Sequence, residues 1–424
     1  MVIDHFISKE AQGTYYTVPF LVPEGDFTRV TIAYEYEGGV VDLGLNGPGG
    51  RFLGWSGGAR SLIWVGAYSS TPGYPLVEVS PGEWSILVGA YKIPDDGVTV
   101  RYTINFHAKE SRWYTGDLHM HSDASDGQHD IPTLAKKAKK KGLDFIAVSN
   151  HNNYNENFNL PTVPGLTLIP AVEWTHYKGH MNFYGVAAPF DSFIANSEEE
   201  MEHVIATAKA KGAVVSVCHP KCAHCGYHWQ NEDCFDLVEM WNGPMRKTNV
   251  DGLAWWHSLL LEGKKIPLIG GSDFHRERDP VRIGYPATKV YAASPGVEDI
   301  LAAIVRGNAY VTASPNGVVL GLRAGGARDA SATKVNQPGD YSIMGDTVPF
   351  SDGLILDISA NNLGLGMVVR LVTSEGTACE FRGCGQVSRQ VKIMSAWQFA
   401  YLVVVRRIFG VERIAAVSNP VYFK

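Results

Sequence analysis

The chain lacks any long hydrophobic run. Stretches such as Ala400 to Val405 fall far short of the roughly 20 apolar residues that a bilayer-spanning helix needs, so no membrane span is expected. It also lacks an excess of positive charge. Thirty-seven Lys and Arg stand against 43 Asp and Glu, a net charge of −6, which excludes a global basic field for nucleic acid or anionic membrane. The one basic run, Lys136 to Lys141, sits in a helical stretch and reads as a solvated helix face. The N-terminus shows no cationic start followed by an apolar block, so no signal peptide is expected and the expected location is cytoplasmic. No repeat or low-complexity segment is visible. What the chain does have is material for a core: 45% hydrophobic, 11% aromatic and 19% charged residues are incompatible with disorder. At roughly 150 residues per domain, the length suggests two or three domains.

Histidine is unevenly spread. Twelve of the 14 lie between His119 and His275, where an even spread would place about five, and none follows His275. Such crowding points to metal or proton chemistry in the middle third. The rhythm of the chain changes at the borders of that region. Residues 1–111 alternate as short strands, such as Thr28 to Tyr36 and Trp84 to Tyr91, with Gly and Pro clusters between them; this predicts a β-sandwich. Trp55 and Trp64 are expected to pack in its core. Residues 112–315 alternate apolar strands with helices. Glu198 to Lys211 is the clearest helix, with Ser197 and Glu200 as a capping box and Gly212 as its stop. Residues 316–424 return to strands, which predicts a second sandwich.

The chemistry gathers at strand ends. His119 and His121 end a strand as an H-x-H pair, and residues i and i+2 of a strand face the same way. Asp126 follows in a Gly-containing loop. Phe145 to Val148 runs into His151, Leu166 to Val172 into Glu173, and Ala213 to Val217 into His219. His180 precedes the apolar stretch Met181 to Val186, and Pro267 to Gly271 runs into Asp273 and His275. In a β/α barrel the C-terminal strand ends converge on one face, so these groups would share a pocket. Nine of them are too many for one ion, and burying them without metal would be very costly.

These segments — Gly116-Asp117-Leu118-His119-Met120-His121, Asn150-His151-Asn152, Glu173, Gly179-His180, His219-Pro220 and Gly271-Ser272-Asp273-Phe274-His275 — resemble the PHP (polymerase and histidinol phosphatase) superfamily. With Val238 to Gly243 and Ala303 to Tyr310, they look like its CehA/McbA-like branch, which includes carbaryl hydrolases. The resemblance covers about residues 112–315. It implies an α/β architecture: a distorted (β/α)7 PHP barrel, flanked in this chain by N- and C-terminal β-sandwich domains. It also implies three divalent transition-metal ions, with His119, His121, Glu173 and Asp273 on the first. Glu173, His180 and His219 would hold the second, and Asp126, His151 and His275 the third. Mixed His and carboxylate ligands suit Zn, Mn or Fe. Asn150 departs from the family, which usually has Asp there, and implies altered tuning rather than metal loss. His176 rivals His180, but the Gly-His-Met-Asn context favours His180.

The expected activity is that of a metal-dependent phosphoesterase, a phosphodiesterase in preference to a monoesterase, acting on a small molecule. A hydroxide held between metals would attack phosphorus, with Glu173, Asp273 and His275 as catalytic residues. Lys221, Arg276 and Arg278 lie just beyond ligand motifs and could grip phosphate oxygens. The alternatives are a carboxylic-ester or carbamate hydrolase, and a non-catalytic binder of carbohydrate or lipid headgroups. Cys222-x2-Cys225 has zinc-knuckle spacing but no partner pair. With Cys218 and Cys234 it is open to a structural zinc, a disulfide or free thiols, the last being favoured.

Overall fold

The computed structural model describes residues 1–277, 280–326, 341–408 and 410–424. They divide into two compact units, Met1–Glu110 and Ser111–Lys424.

The first unit contains strands β1 (Val2–Ile7), β2 (Tyr15–Val22), β3 (Phe27–Glu35), β4 (Val40–Asn46), β5 (Phe52–Gly57), β6 (Leu62–Gly66), β7 (Gly82–Lys92) and β8 (Val98–Ala108). They form two antiparallel sheets, in the orders β1-β8-β3-β6 and β2-β7-β4-β5. Alternation sorts each strand into two faces. In β3, Val30, Ile32 and Tyr34 are buried and the residues between them are not. The buried faces of both sheets join in one apolar cluster that includes Ile32, Leu43, Val65 and Ile104. Trp84, not Trp55 or Trp64, is the tryptophan that fills this core; the other two are half-buried.

The second unit opens with β9 (Arg112–Met120), α1 (Ile131–Lys140), β10 (Phe145–Val148), β11 (Thr167–Trp174), β12 (Met181–Tyr184), α2 (Glu198–Ala210) and β13 (Val214–Val217). It continues with β14 (Leu237–Asn242), α3 (Lys247–Leu261), β15 (Leu268–Gly271), β16 (Ala287–Ala292), α4 (Val297–Val305) and β17 (Ala309–Thr312). The remaining strands are β18 (Val319–Gly326), β19 (Ser342–Ile343), β20 (Thr347–Val348), β21 (Leu354–Leu363), β22 (Met367–Thr373), β23 (Gly376–Arg382), β24 (Gly385–Lys392), β25 (Phe399–Ile408), β26 (Val411–Ser418) and β27 (Val421–Phe423).

The helices follow their local signals. Asp130 caps α1 by accepting from the Thr133 N–H at 2.9 Å. Ile131, Leu134, Ala135 and Ala138 form the buried stripe of α1, which leaves the lysines from Lys136 to Lys141 on its outer side. At α2 the Ser197 hydroxyl accepts from the Glu200 N–H at 3.2 Å, while the Glu200 carboxylate accepts from the Asn196 N–H at 2.6 Å. The second arm of the capping box thus reaches one residue further back than the motif describes.

Strands β9 to β15 lie side by side in sequence order. An isolated parallel bridge between Met120 and Phe274 links the two ends of that series. Six of the strands share one direction, whereas β12 is antiparallel to both neighbours. The connection from Trp174 to Met181 is too short for a crossover helix, which explains the reversal and breaks a regular β/α repeat. The sheet does not stop there. It runs on from β9 through antiparallel β16, β17, β26, β25, β22 and β23. The segment 316–424, expected as a separate sandwich, therefore continues the large mixed sheet, and a smaller sheet of order β19-β18-β21-β24 accompanies it. None of the described helices is long and apolar enough to cross a membrane.

Candidate metal centre

All nine expected ligand residues come together where the strands of the β9–β15 series end. His119 is the penultimate residue of β9, and His121 follows the strand immediately. Their rings lie 5.2 Å apart. Glu173 is the penultimate residue of β11. His180 directly precedes β12, His219 follows β13 by two residues, and Asp273 and His275 follow β15. Gly271 is what lets β15 come this close to β9: a Cβ there would stand 2.4 Å from His119 Cβ and 2.8 Å from Glu239 Oε1. Three non-glycine residues with positive φ sit at the same place: Asn152 (46°), His219 (30°) and Asp273 (52°). Backbone strain of this kind persists where surrounding structure dictates it, and it concentrates at functional sites.

Glu173 is the hub. Its Oε2 lies 3.4 Å from His119 Nε2, 3.5 Å from His121 Nε2 and 2.8 Å from His151 Nδ1. Its Oε1 lies 2.8 Å from His180 Nδ1 and 3.3 Å from His219 Nε2. Asp273 Oδ1 stands 3.5 Å from His119 Nε2, 3.2 Å from His121 Nε2 and 3.4 Å from His275 Nδ1. Asp126 Oδ1 stands 3.3 Å from His275 Nε2 and 3.6 Å from His151 Nε2. His121, Asp126, His151 and His275 offer ligand atoms all within 4.8 Å of one another.

The residues fit metal ions. His119, His121 and Glu173 are fully buried, yet His119 Nε2, both ring nitrogens of His121 and Glu173 Oε2 have no hydrogen-bond partner among the described residues. Each such atom costs about 1–3 kcal/mol if left unsatisfied. Around a tetrahedral ion with bonds of about 2.1 Å, neighbouring donors are about 3.4 Å apart. The separations from His119 and His121 to Glu173 and Asp273 span 3.2–3.5 Å. The clusters thus make a multi-metal binding site.

The same crowding polarises the ionisable groups. Burial opposes the charge on Glu173, but His119, with His151 and His180 close beside it, holds it well below the usual carboxylate range. Burial also opposes the charge on His119, which Glu239, Asp273 and Glu173 nevertheless push well above the usual imidazole value. Burial pushes His121 down to about 4. Asp117 is pushed up to about 6 by burial, against the hydrogen bonds it receives from Ser272, Gly284 and His119.

Two supporting residues carried no assigned role in the sequence. Glu239 Oε1 lies 3.0 Å from His119 Nδ1, which turns Nε2 toward Glu173, and Glu239 Oε2 accepts from the His219 N–H at 3.1 Å. The signal available was a lone carboxylate in the otherwise buried strand β14. Asp117, on the same face of β9 as His119, accepts from the Ser272 N–H at 2.9 Å and the Gly284 N–H at 2.7 Å, tying β9 to the Asp273 loop. Asn150 is a brace: its Oδ1 accepts from the Ser122 N–H at 2.8 Å and the Ser125 hydroxyl at 2.9 Å, which fixes the loop carrying Asp126. Its amide donates to Glu156 at 2.7 Å.

His180, not His176, faces the cluster; His176 Nε2 pairs with the Ala195 carbonyl oxygen at 2.9 Å. Of the basic residues expected to grip substrate, Arg276 is exposed beside the site and donates to the Asp126 carbonyl at 3.3 Å. Lys221 is drawn aside, its ammonium 4.8 Å from the Trp255 ring centre. Arg278 lies outside the described residues.

Residues 117–218 match the PHP domain. That match spans β9 to β13, the part of the second unit that carries six of the nine clustered residues. No curated protein matches the chain. Among solved structures, a two-domain Bacteroides vulgatus protein containing a predicted PHP-like metal-dependent phosphoesterase is 15% identical, over 73% of this chain and 96% of that one, with a TM-score of 0.40. A candidate metal-dependent phosphoesterase from Bifidobacterium adolescentis is 18% identical, over 40% and 90%, with a TM-score of 0.28. An amidohydrolase from Chromobacterium violaceum is 13% identical, over 39% and 89%, also at 0.28. The PHP match stops at Cys218, so it includes five of the nine clustered residues up to Glu173, adds His180, and leaves His219, Asp273 and His275 to the geometry.

Glu239 gives the metal centre a direct test. Glutamine cannot serve both of its partners, because its amide group would face either the His119 ring N–H or the His219 backbone N–H. Glu239→Gln is expected to weaken metal affinity by about 10–100-fold, measured against a competing chelator. Unchanged affinity would show that Glu239 does not orient His119.

Proposed function

We propose that the protein is a metal-dependent phosphodiesterase with a trinuclear site. The observation that carries this reading is the division of Glu173, one oxygen toward His119, His121 and His151 and the other toward His180 and His219. A carboxylate so placed can be shared between two ions. His119, His121, Glu173 and Asp273 would hold the first, Glu173, His180 and His219 the second, and Asp126, His151 and His275 the third. Zn, Mn or Fe suit these donors. Bound divalent ions supply Lewis acidity, which activates water and neutralises charge developing on a phosphoryl group. Glu173 and Asp273 fix the spacing of the ligand sets. His275 is oriented through Nδ1, 3.0 Å from the Asp273 carbonyl oxygen, and presents Nε2 to Asp126. Arg276 is placed to meet a phosphate oxygen.

The choice of diester rests on charge. A phosphomonoester is dianionic at neutral pH and calls for more cations than Arg276 alone. Among the described residues, Arg276 is the one expected basic residue beside the site, since Lys221 is engaged with Trp255. The same scarcity favours, as second reading, a carboxylic-ester or carbamate hydrolase of the CehA/McbA kind. A complete ligand set speaks against a non-catalytic binder. On one metal-loaded preparation, with His119→Ala as the blank, kcat/KM is expected to be higher for an aryl phosphodiester than for the matching monoester or carboxylic ester. A tenfold or greater advantage for the carboxylic or carbamate ester would replace the phosphodiesterase reading with the second one.

A further inference from the structure

The nine expected ligands leave the Cys222-x2-Cys225 pair without a role, although Cys225 offers its sulfur within 4.8 Å of ring nitrogens of His180 and His219. Both residues are half-buried, and all six cysteines of the chain are free. Cys225 Sγ lies 3.5 Å from His219 Nδ1 and 2.6 Å from Cys222 Sγ. His219 Nε2, on the opposite edge of the ring, faces Glu173 Oε1 at 3.3 Å. Cys225 thus meets His219 on the ring edge away from Glu173. Cys225 stands to His219 as Glu239 stands to His119 and as the Asp273 carbonyl stands to His275. It accepts the Nδ1 proton and leaves Nε2 unprotonated for a metal.

The loop is built tightly around this contact. The Cys222 N–H donates to the His219 carbonyl at 2.8 Å, and the Tyr227 N–H to the Pro220 carbonyl at 2.9 Å. A Cβ on Gly226 would stand 2.6 Å from the Cys222 carbonyl oxygen, and one on Gly179 would stand 3.0 Å from Tyr227 Cα. The loop bearing both thiols thus packs directly against the residue before His180.

We propose that Cys222 and Cys225 form a thiol–disulfide pair whose oxidation by a peroxide loosens His219 and the ion it helps to hold. The proposal rests on His219 being a metal ligand. Cys222 Sγ attacks the peroxide O–O bond, giving a sulfenic acid and one water. Cys225 Sγ then displaces the hydroxyl from that sulfur as the second water, forming the S–S bond. Two thiols give up two protons and two electrons, and the peroxide is reduced to two waters. The new bond ties Cys225 Sγ to Cys222 Sγ and leaves a disulfide sulfur, a weak acceptor, beside Nδ1, so the hydrogen bond that sets the His219 tautomer weakens.

The other cysteines in this region are poorer candidates for the first step. Cys218 is fully buried, and burial pushes its thiol up to about 12. Cys234 is directed at Tyr227, 3.5 Å from its hydroxyl. Cys222 is half-buried, and its Sγ already lies 2.6 Å from that of Cys225.

The experiment is a hydrogen peroxide titration of the metal-loaded protein, read by mass spectrometry of the Cys222–Cys225 peptide, by retained metal and by hydrolysis. The expected result is a 222–225 disulfide with about tenfold weaker retention of one ion, reversed by dithiothreitol and fresh metal. Cys222→Ser should keep basal activity and lose the sensitivity to peroxide. An oxidised protein that keeps its metal with unchanged affinity would overturn the proposal, as would a Cys222→Ser protein that loses metal equally. His219→Ala in the reduced protein separates the two ideas. If it retains all its metal, the ligand reading of His219 has failed, whatever the thiols do.

Discussion

Glu173→Gln is expected to lower turnover by at least about 10³-fold while the fold persists. The substitution preserves volume but removes a negative charge that five imidazoles share within 3.5 Å. Without it, ions held in the two proposed ligand sets would each lose a donor and would repel one another with less screening. The glutamine amide would also point N–H groups at ring nitrogens that are themselves needed as donors to metal. Elemental analysis should show metal loss, and the thermal transition should fall only as far as that loss explains. Near-normal turnover would mean that Glu173 has been given the wrong role.

Metal removal should have a comparably large effect. Treatment with a strong chelator is expected to abolish hydrolysis and to lower the melting temperature, since each site filled at a hundredfold excess over its dissociation constant contributes about 2.7 kcal/mol. The direction with pH follows from the imidazoles. In the stripped protein His119 and His219 are held well above the ordinary imidazole value. Each opposes burial, His119 through Glu239 and the nearby carboxylates, and His219 through Cys225 and Glu173. They are therefore protonated at neutral pH, and their charge stabilises the stripped form below the unfolded value of 6.5, an effect lost as pH rises through their folded values. Metal competes with those protons. Reloading at pH 7 should release protons, detected as a buffer-dependent heat in calorimetry, and bound metal should be lost as pH falls. A buffer-independent heat would contradict this arrangement.

Most of the clustered positions were legible because they sit at a strand end beside a short apolar run, as with Phe145 to Val148 before His151, whereas Asp126 lies in a loop. The side-chain period of a strand also places His119 and His121 on one side without further information. The residues that orient the ligands were less visible, since their roles exist only across the sheet. Glu239 meets His119 over a separation of 120 residues, and nothing local to β14 names that partner. The contact between Cys225 and His219 is local, six residues apart, but it depends on the turn geometry of the intervening loop. Lys221 shows a related limit: proximity in sequence to His219 says nothing about the Trp255 ring that α3 brings alongside. The strands after Pro315 were recognisable as strands, whereas their assignment to a separate sandwich was not sound. Alternation reveals which face of β25 or β26 is buried, and it is silent on which strand supplies the neighbouring edge.

That edge has a consequence for how such a chain can be rearranged by gene fusion. β17 pairs with β16 on one side and with β26 on the other, more than a hundred residues onward. The buried Asn419, just beyond β26, accepts from the Leu268 N–H at 2.7 Å and donates to the carbonyls of Leu268 and Ala309. A recombination joint near residue 315 would cut through a shared ladder and strip β15 of the side chain that satisfies its first residue. A joint at 110 falls between strands that belong to different sheets. A joint there cuts no ladder of the described strands. The last hundred residues have to be inherited together with the catalytic half they complete.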